Sequence, residues 1–281
     1  MRNKYFIGLI VFVGMFAVTA RGEKYTLETG AFEKIKVTTN INVVYRCNPD
    51  STGMAWYDGR PGMDDIFYLD IKKDGTLKIQ LTDAYWGKPD LPTLHVYSDY
   101  LSSVENSSDL NLTVENLVPG ASFSANQIGN GSIIVEGIKF NNVSAAVTTG
   151  NGSVTLSGSC VNANFRMVGA GLISADRLQA LNVKCTILGT GSIGCWPIDN
   201  LTVKGLGSTK IYYKGKPNIK KTGGGKLYEL PAEPIDYNLG NSEPVKVGSF
   251  FPTAEEEIKT EEDPQESHAE EEIQTVVTED E

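Results

Sequence analysis

Gly129-Asn130-Gly131-Ser132-Ile133, Gly150-Asn151-Gly152-Ser153-Val154, Gly169-Ala170-Gly171-Leu172-Ile173 and Gly189-Thr190-Gly191-Ser192-Ile193 repeat one pattern. Gly205-Leu206-Gly207-Ser208-Thr209 and Gly223-Gly224-Gly225-Lys226-Leu227 extend it. The first glycines stand 21, 19, 20, 16 and 18 residues apart, and a period near 20 is the mark of stacked repeats. Four residues after each first glycine come Ile133, Val154, Ile173, Ile193, Thr209 and Leu227. Six after come Val135, Leu156, Ala175, Cys195 and Ile211. Residues two apart share one face of a strand. Ala125, Ala146, Phe165, Cys185 and Leu201 hold the matching place four residues before the glycines. Each repeat is therefore expected to carry a strand before and a strand after its corner, with no helical period. The fold class predicted is all-β: a parallel β-helix, or solenoid, with coils of about 20 residues. Coils stack at about 4.8 Å, so a corner with φ > 0 should recur at every level. Glycine permits that φ and has no Cβ to meet the coil above.

Outward from this block, 121–228 reads as regular coils and 21–120 as earlier, less regular ones. Alternation persists in Phe32-x-x-Ile35-x-Val37, Ile41-x-Val43, Phe67-x-Leu69-x-Ile71, Leu77-x-Ile79-x-Leu81 and Leu94-x-Val96. Lys73-Asp74-Gly75 offers a hairpin turn between two of these strands. The composition shift near residue 120 fits either a subdomain boundary or a continuous solenoid.

The ends differ in kind. Residues 1–20 combine Arg2 and Lys4, an apolar run from Tyr5 to Val18, and Val18-Thr19-Ala20 before a cleavage point. That is the pattern of a secretory signal peptide, and the run is short for a membrane span. No later segment reaches that length of apolar residues. The mature chain is expected to be exported, to the periplasm, the outer surface or the extracellular space. Residues 229–254 form a Pro-bearing connector. Residues 255–281 hold 13 acids and one lysine, a composition expected to stay disordered. The net charge of −10 therefore belongs to the tail, and the body between the two ends is neutral. Overall acidity argues against nucleic-acid binding.

Cys47, Cys160, Cys185 and Cys195 are the cysteines. Export permits disulfides, and four cysteines allow three full pairings; burial of Cys160, Cys185 and Cys195 as small hydrophobes is the other reading. No C-x-x-C is present, and His95 and His268 are the only histidines, so no metal site is expected. Gly189-Thr-Gly-Ser-Ile-Gly194 matches a dinucleotide fingerprint, but that motif needs a helix after it. Here Cys195-Trp196-Pro197 follows. No cofactor and no catalytic residues are expected.

Four features together resemble the secreted head GIN domain family, described as auto-transporter adhesins and formerly as a domain of unknown function in Gram-negative bacteria. They are the signal peptide, Gly30-Ala-Phe32-x-x-Ile35-x-Val37, Gly75-Thr-Leu77-x-Ile79, and the serial G-x-G-S-I/V coils. Tyr212-Tyr213-x-Gly215-x-Pro217 before Gly223-Gly224-Gly225 adds to the match. The resemblance covers about residues 27–228. It implies a β-helical fold and an adhesin-like label with no established biochemical activity, and it carries over no catalytic motif.

Two candidate binding features follow from the residues. Between 137 and 228 there are 11 basic residues and two acidic ones, Asp176 and Asp199. Lys204, Lys210, Lys214, Lys216, Lys220, Lys221 and Lys226 crowd the last coils. They are expected to present a basic face to an anionic partner: an acidic glycan, another envelope component, or the chain's own tail. Trp56-Tyr57 and Tyr85-Trp86 fall in long polar segments, where exposed rings would stack on sugars. The expected function is a binding module of the cell envelope. A periplasmic structural role and a polysaccharide-acting enzyme are the alternatives.

Overall fold

The computed structural model describes residues 23–231. The expected signal peptide, most of the connector, the acidic tail and His268 lie outside the described residues. Within them the chain forms a single 17-stranded sheet. Two short 3-10 turns, Pro49–Ser51 and Asp83–Tyr85, interrupt it, and no α-helix occurs among the described residues.

The sheet winds as a solenoid with three strand segments per coil. The first face is built from Thr76–Leu81, Lys34–Val37, Ser103–Asn106 and Gly120–Ile128, then residues 142–149, 162–167, 182–187 and 200–205, and last Asn218–Gly223. The second runs from Leu94–Ser98 through Val43–Cys47, Asn111–Glu115 and residues 132–135, 153–156, 172–175 and 192–195 to Lys210–Tyr213 and Lys226–Glu229. A short third face lies between them within the long strands, past a register shift. All of these pairings are parallel. Strands on both sides of residue 120 pair without a break, Ser103–Asn106 with Gly120–Ile128 and Asn111–Glu115 with residues 132–135.

One end departs from the parallel pattern. Glu23–Glu28 runs antiparallel to Met54–Gly59, which runs antiparallel to Leu94–Ser98, and Phe67–Ile71 runs antiparallel to Thr76–Leu81. The Lys73-Asp74-Gly75 hairpin is present: Gly75 has φ +76° and its N–H donates to the Lys72 carbonyl at 3.0 Å. Antiparallel strands, one of them in the Phe67–Leu81 hairpin, thus cover the edge that a parallel coil would leave open.

The core is made of like-on-like columns. Leu94, Val43, Leu112, Ile133, Val154, Ile173, Ile193 and Ile211 stack through eight coils on the second face, all fully buried. Each such side chain is worth roughly 1.5–3 kcal/mol when buried. The offset arithmetic holds through Ile193 and then slips. Gly205 registers with Ile187, at a strand end, and the corner place above Gly189 falls to Gly207. The apparent 16-residue spacing is an 18-residue coil, so Ile211 rather than Thr209 enters the column. Thr209 is nevertheless buried, and its hydroxyl donates to the Gly189 carbonyl at 3.0 Å. A similar slip puts Ala145, not Ala146, beside Ala125.

The corner glycines are required for clearance more consistently than for backbone sign. Gly150 has φ +82°, but Gly171 and Gly191 have no positive φ. A Cβ on Gly171 would stand 1.9 Å from the Gly152 carbonyl oxygen, and one on Gly191 would stand 2.1 Å from that of Gly171. The expectation of a left-handed corner at every level is therefore corrected. The invariant is that each corner passes within touching distance of the backbone below.

Asparagine ladders appear at two corners. Asn162, Asn182 and Asn200 each donate Nδ2 to the Oδ1 of the asparagine one coil below, at 3.1, 3.1 and 2.8 Å. At the glycine corner, the Asn151 N–H donates to Asn130 Oδ1 and the Asn130 N–H to Asp109 Oδ1, both at 3.2 Å.

All four cysteines are free thiols. Cys185 and Cys195 are buried in core columns, as expected of small hydrophobes, while Cys160 and Cys47 are half-buried. Hydrogen bonding to Cys185, and then burial, hold the Cys195 thiol well above its ordinary pKa. Burial pushes Cys160 up to about 12.

Candidate functional site

Strand alternation decides where each lysine of the last coils goes, and it separates them. Lys204 and Lys220 point outward from the first face and are exposed. Lys210 and Lys226 stack on one another along the second face, next to the stacked rings of Tyr212 and Tyr228, whose centroids are 5.2 Å apart. Lys216 is exposed and pairs with Glu229. Lys221 is one residue from Lys220, so it falls in the inward column of Phe165, Cys185 and Val203 on the last coil. Lys214 is only 2% exposed. Its Nζ lies 3.6 Å from Asp176 Oδ2 and 5.3 Å from the Trp196 ring centroid. The expected single basic face of seven lysines does not form. Lys214 in particular belongs to the interior, because the bulge at Asp176 places a carboxylate there to receive it.

A different set of cations comes together. Along the first face, Arg166, Lys184, Lys204 and Lys220 are exposed on four successive coils. Register pairs Asn164 with Lys184 and Thr202 with Lys220, and Arg166 with Thr186 and Lys204 with Thr222. The cations therefore alternate between two adjacent outward columns, one per coil at about 4.8 Å along the axis. Residues 162–167, 182–187, 200–205 and 218–223 contain no Asp or Glu. Among the described residues no carboxylate forms an ion pair with these four. Only half of this array was visible in the sequence. The crowding of late lysines drew attention to residues 204–226, and finding Arg166 and Lys184 requires the coil register.

These cations border two shallow depressions on the same face. One, of about 490 Å³, is floored by Ser124, Ser144 and Ala146 and reaches Arg166 and Lys184. The other, of about 710 Å³, runs along the asparagine ladder to Lys184, Lys204 and Lys220. Small residues at Ser124 and Ser144 leave the groove, and larger ones at Asn164 and Lys184 wall it. At its far end Glu105 is neutralised by Lys36 at 2.8 Å. Beside the ladder, Val161, Leu181 and Ile198 form an exposed apolar ridge at the corner entering the face.

The aromatic candidates also divide. Trp56 and Tyr57 lie in strand Met54–Gly59, not in a loop, because that segment pairs on both sides. Tyr57 is fully buried against Tyr25 and Phe67, and its hydroxyl donates to the Met63 carbonyl at 2.6 Å. Burial lifts its pKa to about 12. Trp56 stacks on His95 at 4.1 Å, has the Lys24 ammonium 4.1 Å from its ring, and donates Nε1–H to the Tyr97 hydroxyl at 2.8 Å. Neither ring is presented to a ligand. Tyr85 packs on the core. Trp86 alone stands out, 67% exposed, on the wall of a depression of about 450 Å³.

Among the described residues, no three His, Cys, Asp or Glu side chains gather as a metal site. No helix there is long and apolar enough to cross a membrane.

Solved structures share this fold. A "putative adhesin" from Bacteroides fragilis is 21% identical with a TM-score of 0.65, over 74% of this chain and 96% of that one. A "putative adhesin" from Parabacteroides distasonis is 17% identical with a TM-score of 0.61, over 75% and 98%. A "putative lipid binding protein" from Parabacteroides distasonis is 19% identical with a TM-score of 0.57, over 76% and 98%. No curated protein sequence matches the chain. The family model described as "putative auto-transporter adhesin, head GIN domain" matches residues 31–217, which takes in nearly all of the solenoid and three of the four cations of its first face, and the chain belongs to that family.

Proposed function

We propose that this is an exported, non-enzymatic binding module of the cell envelope that holds a linear anionic polysaccharide along its first face. The observation that carries this reading is the cation on each of four successive coils, Arg166, Lys184, Lys204 and Lys220. A polymer with a charge on every sugar repeats at a few ångströms, as the coils do. Ser124, Ser144 and the outer asparagines supply hydroxyl and amide partners along the groove. Binding from exposed cations is expected to weaken with salt, because such charges are screened beyond about 10 Å at 0.1 M.

Titration with polygalacturonate and with neutral dextran, at two salt concentrations, tests this. Polygalacturonate should bind, more weakly at high salt, and Lys184→Glu/Lys204→Glu should weaken it at least tenfold. Affinity unmoved by salt and by the double variant would sink the reading, and the absence of any binding would favour a structural role.

The ridge of Val161, Leu181 and Ile198 beside the cations supports a second reading, an anionic lipid whose headgroup meets the lysines. The "putative lipid binding protein" of the same fold points the same way. Co-sedimentation with phosphatidylglycerol vesicles separates the two: loss of vesicle binding in Leu181→Asp with polygalacturonate binding intact would favour the lipid.

A further inference from the structure

The loop of residues 82–93 carries one feature that the groove does not use. Tyr85 and Trp86 are neighbours with opposite fates. Tyr85 is packed on the core and donates its hydroxyl to the Gly62 carbonyl at 3.4 Å. Trp86, one residue on, leaves most of its indole in solvent. Exposure of so large an apolar ring forgoes the burial that usually places tryptophan inside.

The loop that carries it is held in place. Its 3-10 turn, Asp83–Tyr85, is continued by Trp86 N–H to the Asp83 carbonyl at 3.4 Å and Lys88 N–H to the Tyr85 carbonyl at 3.2 Å. Pro89 fixes its own φ. Asp90 sits at φ +56°, a left-handed conformation that few side chains adopt. The indole is thus set by short turns and by the Tyr85 anchor rather than by contacts of its own.

The depression beside the indole is mixed: Leu81, Pro89 and Leu91 give it an apolar floor, and polar side chains join its rim. Thr38 and Asn40 come from the corner after Lys34–Val37, and Lys88 from the loop itself. Asn40 Oδ1 accepts the Asp109 N–H at 2.9 Å, and no hydrogen bond among the described residues engages its Nδ2. The volume, about 450 Å³, lies in the range of small-ligand sites. One aromatic face, with hydroxyl, amide and ammonium groups around it, matches a ring with an apolar C–H face and a hydroxyl rim.

We infer that the Trp86 depression is a second carbohydrate site, which stacks one pyranose unit on the indole and hydrogen-bonds its hydroxyls through Thr38, Asn40 and Lys88. It is separate from the cations of the groove. Four strand pairings lie between Lys34–Val37, which leads into Thr38 and Asn40, and residues 162–167, which carry Arg166, about 19 Å at the spacing of paired strands. The inference does not rest on the polysaccharide reading of that groove.

The test is an oligosaccharide array of neutral and acidic glycans, probed with the mature chain and with Trp86→Ala, Trp86→Phe and Lys184→Glu/Lys204→Glu. Because Trp86 is exposed, Trp86→Ala should keep the wild-type melting temperature. Expected is at least one glycan whose binding falls tenfold or more in Trp86→Ala, survives in Trp86→Phe and is unmoved by the lysine reversals. Glycans lost only in the lysine reversals belong to the groove. An array on which no glycan depends on Trp86, with the variant folded, would overturn the inference.

Discussion

Lys214 Nζ lies 3.6 Å from Asp176 Oδ2 inside the solenoid, two coils apart along its axis. The lysine stem crosses the coil between them beside the Trp196 ring. Ser174 donates its hydroxyl to the other carboxylate oxygen, Oδ1, at 3.0 Å. Asp176 falls where three residues of one strand, 176–178, have no partners in the next. The bulge thus becomes a site that ties three coils together. Removing one charge leaves the other buried without its partner, which costs about 3–5 kcal/mol. Lys214→Met should lose that much stability in urea denaturation. Lys214→Met/Asp176→Asn should recover a large part of it, and strict additivity of the two single changes would show that the pair does not interact.

Clearance at the glycine corners predicts an order of costs. Gly171 has no positive φ, but a Cβ there meets the Gly152 carbonyl oxygen at 1.9 Å. Gly62 has φ +84° and nothing within 4 Å of its Cβ position. Gly62→Ala should cost about 1–2 kcal/mol, the strain of a left-handed alanine. Gly171→Ala must push two coils apart and should cost about 3 kcal/mol or more. Thermal denaturation of the two variants checks this. Equal losses would mean that backbone sign, not clearance, governs the corners.

How far the sequence reached depends on what each feature needs. Core columns were legible because a period near 20 and alternation by two are both local signals, and Ile133, Val154, Ile173 and Ile193 stack as their spacing says. The slip at Gly205 was not legible, since Gly205 and Gly207 are chemically the same residue and only pairing shows which one turns the corner. Antiparallel capping by Glu23–Glu28 and Met54–Gly59 was missed because alternation does not reveal strand direction. The candidate cations failed as a group for a geometric reason. Lys220 and Lys221 are adjacent in sequence and opposite in the strand. Arg166 and Lys184 are 18 residues apart and lie on neighbouring coils of one face.

Lys221 carries a consequence for assembly. The positions before it in its inward column, Cys185 and Val203, are fully buried, and Lys221 is exposed on the last coil. Among the described residues, strand Asn218–Gly223 has a neighbour on one side only. A charge aimed inward on an edge strand opposes stacking by another chain. Lys221→Val should therefore give concentration-dependent self-association in sedimentation velocity, and Lys220→Val, on the outward face, should not. A monomeric Lys221→Val at all concentrations would sink the idea.

His95 sets an acid limit on the opposite end. Its imidazole is stacked on Trp56 at 4.1 Å with an interplanar angle of 7°. Its Nδ1 is buried without a hydrogen-bond partner among the described residues. Burial first, and the Arg46 guanidinium second, lower its pKa below the ordinary 6.5, against smaller opposing pulls from Asp58 and Glu115. With the folded pKa below the unfolded one, the unfolded chain takes up the proton first as pH falls. Stability from His95 is then complete above about pH 6.5 and is lost as pH drops from there toward the folded value. The His95 ring resonance, assigned by its loss in His95→Gln, should titrate below 6.5 in the folded protein. The melting temperature of wild type should fall between pH 7 and the folded pKa by more than that of His95→Gln. A resonance titrating at or above 6.5 would mean that stacking on Trp56 stabilises the imidazolium more than burial disfavours it, and the acid-side loss would then disappear.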